Sequence, residues 1–390
     1  MARQKYLNAK SMTGFIAFMN MFVPLSTDLY LPALPEMGAF FSASPSLVSM
    51  TLTAFFFVFA ISIVLFGPLS DKFGRKPILI VGSSIYVAAS LACAFSTDIY
   101  FLIGGRVFQA IGSGALITSS TALIKDCFRG SLMSKILAIT QALGVIAPMA
   151  APLAGGFLLT FTSWRGSFVV LTVLGLINLL LCFMFSETLD EQRRYKGSVF
   201  DSIGLLWKVG RQRYFMLLLM MFAVVHAPYM AYLSVSSFVY IEHYALSPQQ
   251  YSYFFACNSA ASVLGPFLYL RLKNFVSERS MIRMCLIVPL ISGVLVLTTG
   301  HWSALDFLLS FLPFTVIGAV ARPLCMNILL NTVKENTGTA SSVINFVNTL
   351  LGSIGMMAGT LPWPDLITGL AIIILTAAFV STVIYRSLKL

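Results

Sequence analysis

Apolar residues run along this chain in long stretches, each closed by a short polar cluster. Twelve of these stretches have roughly the 20 residues that carry an α-helix across hydrocarbon. Their expected limits are about 12–34, 47–69, 77–97, 100–123, 134–160, 165–186, 213–238, 250–271, 281–300, 304–330, 337–360 and 364–385. The pattern predicts an all-α polytopic membrane protein with twelve transmembrane helices. The longest polar interval, 187–212, divides them into six and six, giving an N-terminal bundle (1–186), a cytoplasmic linker and a C-terminal bundle (213–390). Within the linker, LLWK is expected to form a short helix on the cytoplasmic surface. Six plus six predicts two repeated halves enclosing a midplane site. A faint echo agrees: Gly67-Pro68 is expected to end the second span and Gly265-Pro266 the eighth, each before a basic loop.

Composition excludes the soluble alternative. Hydrophobic residues make up 58% of the chain, charged residues 10%, and the mean hydropathy is +0.89. A soluble domain carries about 25% charged residues. The net charge of +11 would suit nucleic acid only if it formed a solvated basic face, and it does not. Arg3, Lys5 and Lys10 lie at the N-terminus, Arg386 and Lys389 at the C-terminus. The other basic residues fill every second loop: Lys72, Arg75 and Lys76; Lys125, Arg129 and Lys135; Arg193 to Arg213; Arg271 to Arg283; and Lys334. The opposite loops carry Glu36, Asp98, Glu242 and Asp365, with Arg165 the basic exception. By the positive-inside rule both termini are cytoplasmic. The first apolar segment is too long for the core of a cleavable signal and is expected to stay as an anchor. Six cysteines without a CxxC pair or a histidine cluster indicate neither a disulfide framework nor a metal site, and no cofactor is implied.

Away from helix ends, four ionisable residues stand inside spans: Asp28, Arg106, His226 and Arg322. Each costs ~2.5–3.5 kcal/mol or more at the centre of a bilayer, so each asks for a partner or a wet cavity. Asp28 precedes Glu36 by eight residues and Arg106 follows Asp98 by eight, which puts both roughly 12 Å below the outer surface. The acid and base are therefore expected to pair, either as a proton-coupling unit or as a static packing element. Pro24, Pro32 and Pro35 interrupt the helix around the acid and favour a cavity-facing position. Asn20, two turns below Asp28, and Tyr30 beside it are candidates for the cavity wall. In the second half, His226, Tyr229, Arg322, Asn345 and Asn348 are candidates for substrate contact. Arg322 without a matching acid suits an anionic group, or else it snorkels to the surface.

Three motifs make the chain recognisable. GPLSDKFGRKPIL, residues 67–79, resembles the signature loop of the major facilitator superfamily. Gly67 would allow close helix packing, Gly74 a tight turn, and Asp71 would face a helix N-terminus. The resemblance implies that Asp71 and Arg75 hold the two halves together on the cytoplasmic side in the outward-facing state. LIGGRVFQAIGSGA, residues 102–115, is similar to the span-four motif whose arginine, here Arg106, is tied to proton coupling. ALGVIAPMAAPLAGGF, residues 142–157, resembles the antiporter motif of span five, with Gly144, Pro148, Pro152, Gly155 and Gly156; Ala151 departs from its usual glycine. PLSTDLYLPALP and the later SWRGSF resemble the bicyclomycin and chloramphenicol resistance branch of the drug:proton antiporters. A related subgroup carries a second acid in the inner part of span one. If Asn20 stands at that place, Asp28 would carry the proton alone.

The resemblance implies a monomeric proton-coupled exporter of drug-like compounds or metabolites in a bacterial inner membrane. Its partners would be a small-molecule substrate, protons and the lipid bilayer. Export of an anionic metabolite such as a carboxylate siderophore, and proton-coupled import of a nutrient, are the alternatives. An embedded enzyme or receptor finds no nucleophile–base pair or extramembrane domain.

Overall fold

In hydrocarbon each backbone N–H and C=O needs a partner within the protein, and a long helix supplies them all from its own segment. The computed structural model describes residues 7–195, 197, 199–333 and 337–388; Arg3, Lys5, Lys334 and Lys389 of the charge reading lie outside these. The helices are α1 (Ala9–Asp28), α2 (Leu34–Phe41), α3 (Pro45–Phe73), α4 (Arg75–Ala94), α5 (Ile99–Cys127), α6 (Gly130–Leu158) and α7 (Trp164–Met184). Then come α8 (Val199–Gly210), α9 (Arg213–Phe238), α10 (Pro248–Leu272), α11 (Glu278–Thr299), α12 (Ala304–Thr332), α13 (Thr337–Gly359) and α14 (Leu366–Ser387). Among the described residues, 12 helical segments are long and apolar enough to cross a membrane, the first running from α1 through α2. The LLWK stretch falls in α8.

The chain divides into two compact units, residues 1–37 with 54–203, and 38–53 with 204–390. In the first, α4 packs on α5 and α7, and α1 packs on α5, α6 and α7. In the second, α11 packs on α12 and α14, and α9 packs on α12, α13 and α14. Shifted by six spans these five pairs coincide, so a repeat barely visible in sequence shows in packing, although the extensive contact of α10 with α12 has no counterpart of like extent between α3 and α5 among the described residues. Phe15, Phe22, Tyr86 and Phe185 centre the first core. Phe215, Leu219, Leu286 and Leu324 centre the second.

Neither Gly-Pro pair ends its helix, contrary to expectation: α3 continues to Phe73 and α10 to Leu272. A proline deletes one backbone donor, and in an apolar medium the remaining hydrogen bonds keep the helix going. Span ends are instead made by caps. Asp98 accepts from the amides of Tyr100 and Phe101 at 2.9 and 3.0 Å. Ser247 and Gln250 form a reciprocal capping box. Asp365 accepts from the Thr368 amide at 2.8 Å and pairs with His301 at 3.1 Å. Burial pushes the Asp365 carboxyl up, but the Thr368 and His301 contacts outweigh it and hold it below its ordinary 3.8.

Candidate functional site

Asp28 is the last residue of α1, and the reason lies four residues on. A continuing helix needs the residue 32 amide to donate to the residue 28 carbonyl; Pro32 has no such amide and its ring crowds that carbonyl. The chain turns at Leu29 and Tyr30, makes one 3₁₀ turn over Leu31–Ala33, and resumes as α2. Pro24 lies inside α1 without ending it. Asp28 is 5% exposed, and its Oδ1 accepts from Thr27 Oγ1 at 2.8 Å.

The expected ion pair with Arg106 is not formed: among the described residues Asp28 belongs to no salt bridge. Arg106 is fully buried with its guanidinium among aromatic rings, 4.4 Å from Phe55, 4.8 Å from Tyr30 and 5.9 Å from Phe168. Rings of this kind attract the cation with their π faces. Arg106 Nη1 donates to Gln109 Oε1, and Gln109 Nε2 donates to Ser90 Oγ at 2.7 Å. Ser90 Oγ donates to the Tyr86 carbonyl at 2.7 Å, and the Tyr86 hydroxyl meets Ser26 Oγ at 2.6 Å. A polar chain thus runs from Arg106 on α5 through α4 to α1, two residues short of Asp28. The acid and the base share a neighbourhood through Tyr30 and this chain rather than through direct contact. Tyr30 is fully buried beneath the guanidinium.

Sequence reasoning missed Gln109, Ser90, Tyr86, Ser26 and Thr27. Gln109 was findable, since three residues beyond Arg106 puts it on the same helix face. Asn20 Nδ2 donates to Ser120 Oγ at 3.1 Å and to the Ile16 carbonyl at 2.8 Å, so its amide joins α1 to α5.

In the second unit His226, Tyr229 and Arg322 come together. Arg322 Nη2 donates to His226 Nε2 at 3.3 Å, and its Cζ lies 6.0 Å from the Tyr229 ring. The His226 and Tyr229 rings stack at 5.8 Å and 15°. Arg322 is exposed. On α13, Asn345 is exposed and Asn348 half-buried, and neither is brought to this group by a hydrogen bond among the described residues.

The loop after α3 is a network of charges. Arg75 Nη1 donates to Asp71 Oδ1 at 2.6 Å and its Nε to Asp126 Oδ2 at 2.9 Å. The carboxylate facing the N-terminus of α4 is not Asp71, as expected, but Glu187. It accepts from the amides of Arg75 and Lys76 at 3.1 and 2.9 Å, and from those of Thr188 and Leu189 at 2.9 and 3.0 Å. Asp71 lies within one helical turn of Arg75, whereas Glu187 reaches the free amides from the end of α7. Gly74 has φ +100°, a conformation that favours glycine, and a side chain there would meet the Glu187 carboxylate.

Residues 15–356 match the family model of the Major Facilitator Superfamily. The chain belongs to that superfamily. It is 31% identical over 336 residues to the uncharacterized MFS-type transporter YdgK of Bacillus subtilis, covering 85% of this chain and 84% of that protein. It is 29% identical to a bicyclomycin resistance protein homolog of Haemophilus influenzae, covering 87% and 86% of the two chains. It is 28% identical to a chloramphenicol resistance protein of Pseudomonas aeruginosa, covering 92% and 88%. These relatives agree with the resistance branch that PLSTDLYLPALP resembles. A crystal structure of the nucleoside transporter NupG shares the fold, with a TM-score of 0.78 at 12% identity over 98% of this chain and 99% of that one. Membership makes the protein a multi-pass membrane transporter of small molecules, a secondary transporter rather than an enzyme.

The superfamily motifs acquire distinct physical meanings in this chain. Gly155 of the span-five motif backs directly onto the carbonyl of Leu29, the residue after Asp28, so closely that a side chain has no room. Among the described residues nothing lies within 4 Å of where a β-carbon would stand at Gly144 of the same motif or at Gly67 of the signature loop. Pro148 and Pro152 leave α6 a single helix, and Gly156 is buried beside Gly155.

Proposed function

We propose that this transporter is a proton-coupled antiporter exporting drug-like compounds or metabolites across the bacterial cytoplasmic membrane by alternating access. The observation that carries the reading is Asp28, a buried carboxylate at the proline-made end of α1, bonded by Thr27 and adjoining the turn on which Arg106 rests. A carboxylate in apolar surroundings is far more costly charged than protonated, so binding or losing a proton changes the energy of the whole arrangement. Arg106, on the Tyr30 ring and fixed by Gln109, senses that change. Relatives named for bicyclomycin and chloramphenicol resistance support substrates of drug-like size.

In this reading the halves 1–186 and 213–390, joined by 187–212, are the moving parts. Asp71 and Arg75, with Gly67 and Gly74, form the cytoplasmic gate, and the span-five motif shapes the turn at Asp28. The protein works as a monomer with both termini in the cytoplasm. The test is transport of radiolabelled chloramphenicol in proteoliposomes under an imposed pH gradient. Wild type drives drug uphill against the proton flow, and Asp28→Asn abolishes uphill movement while retaining downhill exchange. Undiminished uphill transport by Asp28→Asn would defeat the assignment, and uphill movement in the direction of proton flow would make the protein a symporter.

A further inference from the structure

An arginine inside a membrane span that meets no carboxylate among the described residues is unusual, and Arg322 is one. It lies ten residues before the end of α12, about 15 Å along the helix axis. Among the described residues it forms no salt bridge. The sequence explains why. The acids after residue 200 are Asp201, Glu242, Glu278, Asp306, Glu335 and Asp365; Glu335 lies outside the described residues, and the others are in α8, in loops or at the ends of spans. Among its described residues this unit therefore brings no carboxylate of its own to the interior of its spans.

The side chain is nevertheless held in place. An arginine snorkelling to the surface would follow its own helix toward water. Arg322 instead reaches to α9, where Nη2 donates to His226 Nε2 at 3.3 Å. Because a guanidinium only donates, that nitrogen of His226 is an acceptor and the imidazole is neutral. The Tyr229 ring stacks on His226 and also lies 6.0 Å from the Arg322 Cζ, so one aromatic ring borders both partners of the contact. One N–H of the guanidinium is committed, and the exposed remainder keeps the fork that matches a carboxylate with two parallel hydrogen bonds. The flat Tyr229 ring beside the fork suits the aromatic or alicyclic body of an organic acid.

We propose that Arg322, positioned by His226 and Tyr229, is a carboxylate-binding subsite, so the exporter's substrates include amphiphilic organic carboxylates. The proposal rests on the exporter reading for its biological meaning, but its test does not. Binding of naphthoate, biphenylcarboxylate and cholate, and of the matching primary amides, is measured by isothermal titration calorimetry on the purified full-length protein. Wild type prefers at least one carboxylate over its amide by about tenfold or more, in keeping with a charge-assisted bidentate pair. In Arg322→Gln the ratio falls to about one while the amide affinity stays, which also shows that the variant is folded. Arg322→Lys keeps the charge without the fork and is intermediate; it serves as the deciding variant should Arg322→Gln not fold. A carboxylate preference that survives in Arg322→Gln overturns the proposal, and so does a wild type that prefers no carboxylate of the panel. No proton gradient enters the measurement. A protein without proton coupling can therefore pass, and a proton-coupled exporter of neutral compounds fails.

Discussion

The Arg75 side chain is 7% exposed between two acids of different standing: Asp126, 20% exposed, and Asp71, 55% exposed. A charge pair loses value as water reaches it, so the inner acid stabilises more. Asp126→Ala is expected to cost about 1–3 kcal/mol of stability, set by a buried arginine losing one of its two acids. Asp71→Ala is expected to cost less than about 1 kcal/mol. Unfolding of the two variants in one detergent checks the ranking, and equal losses would remove it. Transport should show the reverse order if Asp71 is a gate residue, because its work is then done in another conformation. The same residue-level reading separates the intramembrane charges. Arg106 is matched by rings and an amide, Asp28 by a hydroxyl, and Arg322 by a neutral imidazole.

At the scale of elements, the decisive contact is α6 against the turn that ends α1. Gly155 approaches the Leu29 carbonyl so closely that any β-carbon displaces the turn carrying Asp28. Gly155→Ala is therefore expected to destabilise by about 1–3 kcal/mol through overpacking. Gly144→Ala, in the same helix and in open space, should be neutral or stabilising by up to about 1 kcal/mol. Thermal unfolding midpoints in a common detergent compare them. Should Gly155→Ala unfold no earlier than Gly144→Ala, the close approach carries no weight. The proline-made break in the first span has the same logic, since Pro32 lacks the amide that the Asp28 carbonyl requires, whereas Pro24 loses one bond in an otherwise intact helix.

For the whole molecule, the orientation proposed above rests on the alternation of basic and acidic loops, a property of the chain before it folds. A fluorescent protein fused to the C-terminus should fluoresce in cells, and a periplasmic phosphatase fused there should be inactive; the opposite pair of results would invert the topology. Twelve spans were legible because length and apolarity are written locally, and the structure moves their limits by only a few residues apart from the longer C-terminal ends of the first and seventh spans. The signature loop and the span-four arginine were legible because short motifs keep their spacing. Partnership was not. Depth counting brought Asp28 and Arg106 to one level, but distance along a helix says nothing about which way a side chain turns across it. Arg106 turned into Phe55 and Phe168, and Glu187, from the far end of α7, took the helix N-terminus assigned to Asp71. The chain by itself therefore determined span number, expected orientation and the identity of the costly residues, since these depend on the local balance of apolar and charged groups. Only the tertiary structure decided their partners, because a buried charge is satisfied by whatever packing brings within about 3–6 Å of it, however far away in sequence.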